Sequence, residues 1–418
     1  MNEIINKLLV QRFDLLAKFI YIKFRENKIE TNFHVELYRE HIRTFNNFKE
    51  IDNNKNTEED FFSSFNRLIE DIKINGYNSN FPIPLGKNKI LENGAHRLMV
   101  SLFLEIEPKF HIKDIDIPDF YNYDFFLKRK NFPLSTKYSD FMALECIKIN
   151  PNLRSMIIYP NSTNLRNINI IKKIIKKYGI IYYEKNIKLN DNGLNNLIIE
   201  QYRGEEWIGG NFPSFGQGGK YERCKGPGDT YIILFYMENI GLERLKSLKE
   251  ECRKHIRKGK HSLHISDYQY DTFRLSSSLL NKNSVFFLNN GSCAFSPNLK
   301  ILANNYFKNI NNNEDFCITS SAVMELFNLR KAKDLDYIHK NNLNINIENI
   351  SPHDEKWLKY YPKNKEEIIY NPDNYFYFNG HKIISLNLVR EMKKLRGEEK
   401  DINDIKIIDN FFNNSYNL

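Results

Sequence analysis

Paired cysteines and long apolar runs are both missing from the sequence. Its five cysteines form no Cys-x-x-Cys pair, and an odd, scattered set argues against a disulfide framework or a zinc site. Such usage favours a reducing, cytoplasmic compartment. No stretch reaches the roughly 20 apolar residues that a membrane-spanning helix needs. Residues 1–24 are amphipathic, with acids and bases throughout, and therefore lack the pattern of a secretory signal.

An excess of acidic charge is missing as well. The chain carries 61 lysines and arginines against 52 aspartates and glutamates, which gives a formal net charge of +9. The basic residues are dispersed rather than clustered, and the bias toward Asn, Ile and Lys is typical of an AT-rich genome. We therefore expect phosphate-bearing small molecules, rather than nucleic acid, to match this charge.

What the chain does have is length and apolar content. Its 418 residues, 41% of them hydrophobic, can build several packed cores. Helix-like and strand-like patterns predict a multidomain α+β protein. The predicted units are N-terminal helices at 1–50, an α+β domain at 51–134, a middle domain at 135–300 and an α/β domain at 301–418. An Asn-rich linker is predicted at 304–313.

The most informative stretch lies at 316–339. It predicts a short strand, a tight turn at Ser320-Ser321, a helix, and a second strand opened by Asp334 and Asp336. Residues two apart in a strand face the same way, so these carboxylates repel each other unless a cation lies between them. Mg²⁺ is the usual cation, because it takes one or two carboxylates and leaves room for phosphate oxygens, and serines before a helix suit a phosphate. The alternative is a solvated Asp-x-Asp on a surface loop.

This stretch resembles the nucleotidyltransferase superfamily that includes DNA polymerase beta and the small bacterial nucleotidyltransferases. Their signature is Gly-Ser, a helix, then Asp-x-Asp, and Ser320 stands here at the Gly position. The resemblance implies a nucleotidyltransferase-like α/β domain in which Asp334 and Asp336 are catalytic and hold Mg²⁺. It also implies that Ser320 and Ser321 position the nucleotide phosphates. The candidates for the family's third carboxylate are Asp354 and Asp373.

A second match to the same superfamily lies at 393–404. Its pattern, K-x-x-R followed by K-D and D, is similar to a helix that ends many antitoxin- and resistance-type nucleotidyltransferases. By this resemblance, Lys393 or Lys400 contacts the leaving pyrophosphate.

An earlier segment, at 81–104, predicts a Pro-Ile-Pro strand, a polar hairpin, a second strand and a Gly-x-His-Arg turn before an apolar helix. This order resembles the ParB/sulfiredoxin fold, in which such a turn cradles nucleotide phosphate. Gly94 allows the close turn, and the helix N-terminus favours an anion. Arg97 can hold phosphate with two hydrogen bonds, and His96 adds a donor.

Two further points bear on the activity of this segment. Ala95 stands where sulfiredoxin has its catalytic cysteine, which excludes that activity. The family also includes a free-serine kinase, in which Glu92 could act as a base. The alternative is a His-Arg pair that only holds the turn.

The middle domain resembles nucleoside diphosphate kinase, which implies a ferredoxin-like βαββαβ fold. The motif HSLHISD at 261–267 places His264 at the position of the histidine that carries the phosphate. Tyr202 matches the family's active-site tyrosine, and Arg257 matches a phosphate-binding arginine. Tyr159 stands where the family has a phosphate-binding lysine. The alternatives are a domain that binds nucleotide without turnover and a core histidine with no role in catalysis.

Three different stretches thus point to nucleotide phosphate. We expect a Mg²⁺-dependent transferase that uses ATP or CTP and moves a nucleotidyl group to a small molecule or glycan precursor. The layout resembles multidomain proteins associated with bacterial surface-polysaccharide modification. The alternatives are a small-molecule kinase of the ParB/sulfiredoxin or phosphohistidine type, and a non-catalytic nucleotide-sensing or interaction scaffold. Release of pyrophosphate, of ADP or of neither distinguishes the three.

Overall fold

The computed structural model describes residues 3–50, 55–208, 219–292, 296–310 and 314–415. In these ranges the chain is a mixed α+β protein with three separate sheets, which confirms the predicted mixture of helices and strands. The sheets are a parallel pair, an antiparallel sheet of four strands and a mixed sheet of five. No helix within these ranges is long and apolar enough to cross a membrane. The predicted boundary between residues 50 and 51 adjoins residues 51–54, which lie outside the described ranges.

The N-terminal part combines helices with the parallel pair. Helix α4 starts with a capping box, because Thr57 accepts from the Asp60 N–H while the Asp60 carboxylate accepts from Thr57. Helix α5 connects the two parallel strands, and the buried helix α2 packs against α3, α5 and α7. The elements are α1 (Glu3–Gln11), α2 (Leu15–Glu26), α3 (Phe33–Asn46), α4 (Glu58–Asn75), β1 (Ile83–Leu85), α5 (Ala95–Phe103), β2 (Phe110–Ile112), α6 (Tyr123–Leu127) and α7 (Thr136–Ile149).

The middle part is an antiparallel sheet in the order β4-β5-β3-β6. Successive residues of β3 alternate between two cores: Met156 packs with α8 and α11, and Ile157 packs on the opposite face. The elements are β3 (Leu153–Ile158), α8 (Leu165–Tyr178), β4 (Ile180–Ile187), α9 (Asp191–Tyr202), α10 (Lys220–Cys224), β5 (Thr230–Tyr236), α11 (Leu242–Ile256), β6 (Leu263–Ile265), α12 (Gln269–Leu279) and α13 (Lys282–Asn290).

The C-terminal part contains the mixed sheet, in the order β10-β11-β7-β8-β9. Asn379 and Gly380 both have positive φ, as the tight hairpin between β10 and β11 requires. The elements are α14 (Pro297–Asn309), β7 (Phe316–Thr319), α15 (Ser321–Leu326), β8 (Leu335–His339), β9 (Ile350–Pro352), α16 (Glu355–Leu358), α17 (Lys365–Tyr370), β10 (Tyr375–Phe378), β11 (His381–Ile384), α18 (Leu386–Arg396) and α19 (Glu399–Ser415). Helix α14 covers most of the Asn-rich segment, so the linker predicted at 304–313 is wrong as far as residue 309; residues 311–313 lie outside the described ranges.

One apolar core joins all of these parts. It runs from Leu8 in α1 through Tyr183 in β4 to Ile408 in α19. A partly buried ionic network lies across the same junction: Lys23 and Lys148 both pair with Glu145, and Lys148 also pairs with Glu314 at 2.7 Å. The predicted units are therefore packed on one another rather than strung along linkers.

Candidate functional site

The turn between β7 and α15 has a backbone conformation that favours glycine. Ser320 has φ +63° and ψ −137°, in a region that residues with a side chain rarely adopt and that glycine adopts freely. The signature has glycine at this position. The side chain of Ser320 is therefore held in a conformation that costs energy, which is common where backbone strain serves a site.

This turn brings both predicted serines to both predicted aspartates. The Ser321 hydroxyl donates to Asp334 Oδ1 at 3.1 Å, and the Ser320 hydroxyl lies near the Asp336 carboxylate and lowers its pKa. Strands β7 and β8 are antiparallel, with Thr319 opposite Asp336, so the turn closes over the start of β8. Asp334 is exposed and Asp336 is buried.

Strand β9 and the residue that follows it add two partners that sequence reasoning missed. The His353 Nε2 atom lies 3.3 Å from Asp336 Oδ2, and the Ser351 hydroxyl donates to Asp336 Oδ1 at 3.1 Å. Burial alone would raise the pKa of Asp336, but hydrogen bonds from His353, Ser320 and Ser351 hold that pKa below its ordinary value. Ser351 and His353 are two residues apart, so a test for period-two polar pairs on the next strand would have found them.

A chain of hydroxyl contacts fixes the orientation of His353. Its Nδ1 atom lies 2.8 Å from the Tyr361 hydroxyl, which lies 2.7 Å from the Thr319 hydroxyl in β7. The imidazole is thus held between Tyr361 on one side and Asp336 on the other.

The second predicted motif, at 393–404, forms an ion-pair clasp between α18 and α19. The Lys393 Nζ atom is buried and lies 2.6 Å from Asp404 Oδ2 and 3.2 Å from Asp401 Oδ1. Arg396 binds both oxygens of Asp401, at 2.7 and 2.8 Å. Lys393 is thus buried and paired with two aspartates, whereas Lys400 is exposed and pairs with Glu398 at 2.9 Å.

The clasp is connected to Asp336 through the rings of Trp357 and His353. The Arg396 guanidinium lies 5.8 Å from the centroid of the Trp357 ring. Trp357 in turn stacks on His353, with 5.5 Å between ring centroids. The two motifs, about 60 residues apart in the chain, are therefore connected through Trp357 and His353.

A Mg²⁺ ion fits the oxygen donors of this site in part. Two carboxylates and the hydroxyls of Ser320 and Ser321 are hard oxygen ligands, and Mg²⁺ commonly takes few protein ligands and completes its shell with phosphate and water. No group of three His, Cys, Asp or Glu side chains among the described residues is arranged to hold a metal. Asp354 instead caps α16, and Asp373 pairs with Lys137 at 3.0 Å.

At the Gly94 turn, the predicted polar groups are used within the fold. Gly94 has φ +84° and precedes α5, as the close turn predicted. The Tyr38 hydroxyl lies 2.9 Å from His96 Nε2, and Arg97 donates to the Phe81 carbonyl. Glu92 pairs with Lys113 at 2.6 Å.

In the middle domain, two of three predicted residues come together. The rings of Tyr202 and His264 lie 5.6 Å apart, edge to face, whereas Arg257 lies exposed at the C-terminal end of α11. Burial, together with Lys249 and Lys220, holds the pKa of half-buried His264 well below its ordinary value, so the imidazole is neutral near pH 7.

Sequence reasoning missed Lys220, which follows a Gly-rich segment. Residues 209–218 of that segment lie outside the described ranges. The Lys220 ammonium lies 5.1 Å from the Tyr159 ring centroid and 5.3 Å from that of Tyr202. Burial lowers the pKa of Lys220 to about 8. The ammonium group of Lys220 thus lies near Tyr159, which stands where nucleoside diphosphate kinases have a phosphate-binding lysine.

Comparisons with protein-family models, with curated proteins and with solved structures give no significant match for this chain. The three resemblances therefore depend on the motifs and on the geometry described above.

Proposed function

We propose that the chain is a Mg²⁺-dependent nucleotidyltransferase that acts on a small molecule or glycan precursor. The observation that carries this proposal is the glycine-like turn at Ser320, which sets two serine hydroxyls against Asp334 and Asp336. A solvated Asp-x-Asp on a loop needs neither a strained turn nor a buried carboxylate. The clasp at 393–404, which is connected to Asp336 through Trp357 and His353, is a second support.

Each residue of the site has a distinct role in this proposal. When bound, Mg²⁺ would be held by Asp334 and Asp336, and it supplies charge neutralisation for the triphosphate of ATP or CTP. Ser320 and Ser321 orient phosphate oxygens at the turn. His353 holds the Asp336 carboxylate in place through Oδ2, while Tyr361 fixes the imidazole.

The direct test is pyrophosphate release with each of the four nucleoside triphosphates and Mg²⁺. Asp334→Asn and Asp336→Asn are expected to lower turnover by about a hundredfold or more, because each removes a charged ligand of the cation. Asp114→Asn, which changes an exposed carboxylate elsewhere, is the matched control. Wild-type turnover in the double Asp334/Asp336 variant, with the fold intact by circular dichroism, would overturn the proposal.

A second candidate is phosphoryl transfer through the middle domain, favoured by the contact of His264 with Tyr202 and by the nearby Lys220. In this step a ring nitrogen of His264 attacks the γ-phosphorus, a P–N bond forms, and the nucleoside diphosphate leaves with the bridging oxygen. The antiparallel strand order β4-β5-β3-β6 is the order of a ferredoxin-like βαββαβ fold, which supports the resemblance.

Incubation with ATP labelled on the γ-phosphate tests this candidate. An acid-labile, base-stable label that is absent from His264→Asn is the expected result. If neither label nor pyrophosphate appears although nucleotide binds, the chain is a nucleotide-sensing scaffold. No observation favours a kinase at Gly94–Arg97, because the polar side chains of that turn hold the fold.

A further inference from the structure

A cavity of about 510 Å³ lies where α7 of the N-terminal part meets the middle and C-terminal parts. Its walls come from the start of α7, the end of β4, the start of α13 and the turn before β10. None of the residues that line it belongs to the Asp334–Asp336 site or to the His264 cluster. Its volume is in the range of small-molecule pockets, which occur preferentially at such junctions.

Lysines dominate the charge of this cavity. Four lysines and two aspartates line it. Two of the lysines are neutralised there, because Lys185 pairs with Asp140 at 2.5 Å and Lys137 pairs with Asp373 at 3.0 Å. The other two, Lys188 and Lys282, are exposed.

Lys188 and Lys282 are available to a ligand. Across the ranges that the structure describes, the side chain of neither residue makes an ion pair or hydrogen bond. Helices α7 and α13 also begin at the cavity, with Thr136 and Lys282 as their first residues, and helix N-termini add positive potential. The rim of the cavity thus carries two cations without a matching anion.

The wall behind this rim is apolar. It is built from Phe141, Leu144, Ile187, Leu280 and Val285, with Tyr375 and Tyr377 beside them. A free inorganic anion gains nothing from such a wall, whereas an anion with an apolar body can bury that body against it. Two lysines and two helix N-termini match a dianion better than a monoanion.

We propose that this cavity binds an organic phosphate, with its phosphate between Lys188 and Lys282 and its apolar body against the wall around Leu144 and Val285. This site is separate from the metal-dependent site at Asp334 and Asp336 and does not require that site to function.

Calorimetry with phenyl phosphate, the simplest ligand of this class, tests the proposal on the full chain. The titration is made in EDTA, so that no metal-dependent site contributes. Phenyl phosphate is expected to bind once per chain and more tightly than inorganic phosphate. In the Lys188→Ala/Lys282→Ala double variant its affinity should fall about tenfold or more, because two charge-assisted contacts are lost.

The control replaces two exposed lysines of α11, in Lys246→Ala/Lys254→Ala, and makes the same change in net charge. This variant should bind like the wild type, and so should Asp336→Asn. The proposal is overturned if millimolar phenyl phosphate does not bind, if the control loses as much affinity as the cavity variant, or if inorganic phosphate binds as tightly as phenyl phosphate. Failure here leaves pyrophosphate release untouched, so the two proposals are judged separately.

Discussion

Two turns in this molecule place a residue with positive φ directly before a helix, and they differ in what their side chains contact. Gly94 and Ser320 both precede a helix with positive φ, at +84° and +63°. At the Gly94 turn, His96 and Arg97 bind Tyr38 and the Phe81 carbonyl, so the polar groups tie the turn to its own domain. At the Ser320 turn, the hydroxyls instead face a carboxylate pair.

The difference shows what a phosphate-loop motif requires beyond its backbone. A turn with positive φ before a helix can serve a ligand or can simply join two elements. The partners of the adjacent side chains distinguish these outcomes: His96 and Arg97 bind uncharged groups of the fold, whereas Ser321 binds the exposed carboxylate of Asp334. A short motif in the sequence does not contain those partners.

The largest expected change in stability comes from Arg97→Ala, which tests whether Arg97 of the Gly94 turn stabilises the fold or binds nucleotide. Loss of the contact to the Phe81 carbonyl should lower the free energy of unfolding by about 1.5–3 kcal/mol. Nucleotide affinity and pyrophosphate release, measured well below the melting temperature, should stay unchanged. Arg67→Ala, an exposed arginine of α4, is the control. A drop in nucleotide affinity without a loss of stability would mean that the Gly94 turn binds phosphate after all.

A reciprocal exchange at the two turns should give an effect of intermediate size. A Cβ atom added at Gly94 would lie 3.2 Å from Arg97 Nη2 at a φ that side chains rarely adopt, so Gly94→Ser should cost about 1–2 kcal/mol. Ser320→Gly removes strain together with one hydrogen bond to Asp336, and it should cost less or stabilise the fold. Chemical denaturation of both variants measures the difference. Equal losses would show that Ser320 is not strained.

The smallest effect is a difference in pH dependence between the turns. Burial and the nearby Lys18 hold the pKa of His96 well below its ordinary value of 6.5. As the pH falls below 6.5, His96 therefore binds a proton in the unfolded chain but not in the folded one, so the stability of the fold decreases. The pKa of Asp336 lies below its ordinary value of 3.8, so its contribution is complete above that pH and is lost only below it.

Unfolding measured against pH for the wild type, His96→Gln and Asp336→Asn should resolve the two windows. The slope for one proton is at most about 1.4 kcal/mol per pH unit. A stability difference between wild type and His96→Gln that stays constant from pH 7 to pH 5 would contradict the assignment for His96.

Local patterns made much of the fold predictable. The apolar spacing of Leu242–Ile256 predicts a helix with the bounds observed, and Phe316–Thr319 is a strand as predicted. The Asn379-Gly380 turn likewise specifies its hairpin. In each case the signal lies within about 15 residues of chain, because helix periodicity and turn chemistry are local properties.

Tertiary partners were not predictable in this way. His353 meets Asp336 because β9 lies beside β8, and nothing in the residues between them fixes that register. Lys393 has the expected place in its motif, yet Asp401 and Asp404 bind its ammonium group once α18 and α19 pack together. Helix α14 was not predicted because its sequence is rich in asparagine, a weak helix former. The burial of Leu299, Leu302 and Tyr306 stabilises the helix instead.

The continuous core also governs how such a chain can be divided or recombined. Separating the chain between residues 134 and 135 would expose one face of α7 and remove Glu145 from its partner Lys23. Each fragment would then have an exposed apolar surface that carries an unpaired charge. A single segment expressed alone should therefore aggregate rather than fold.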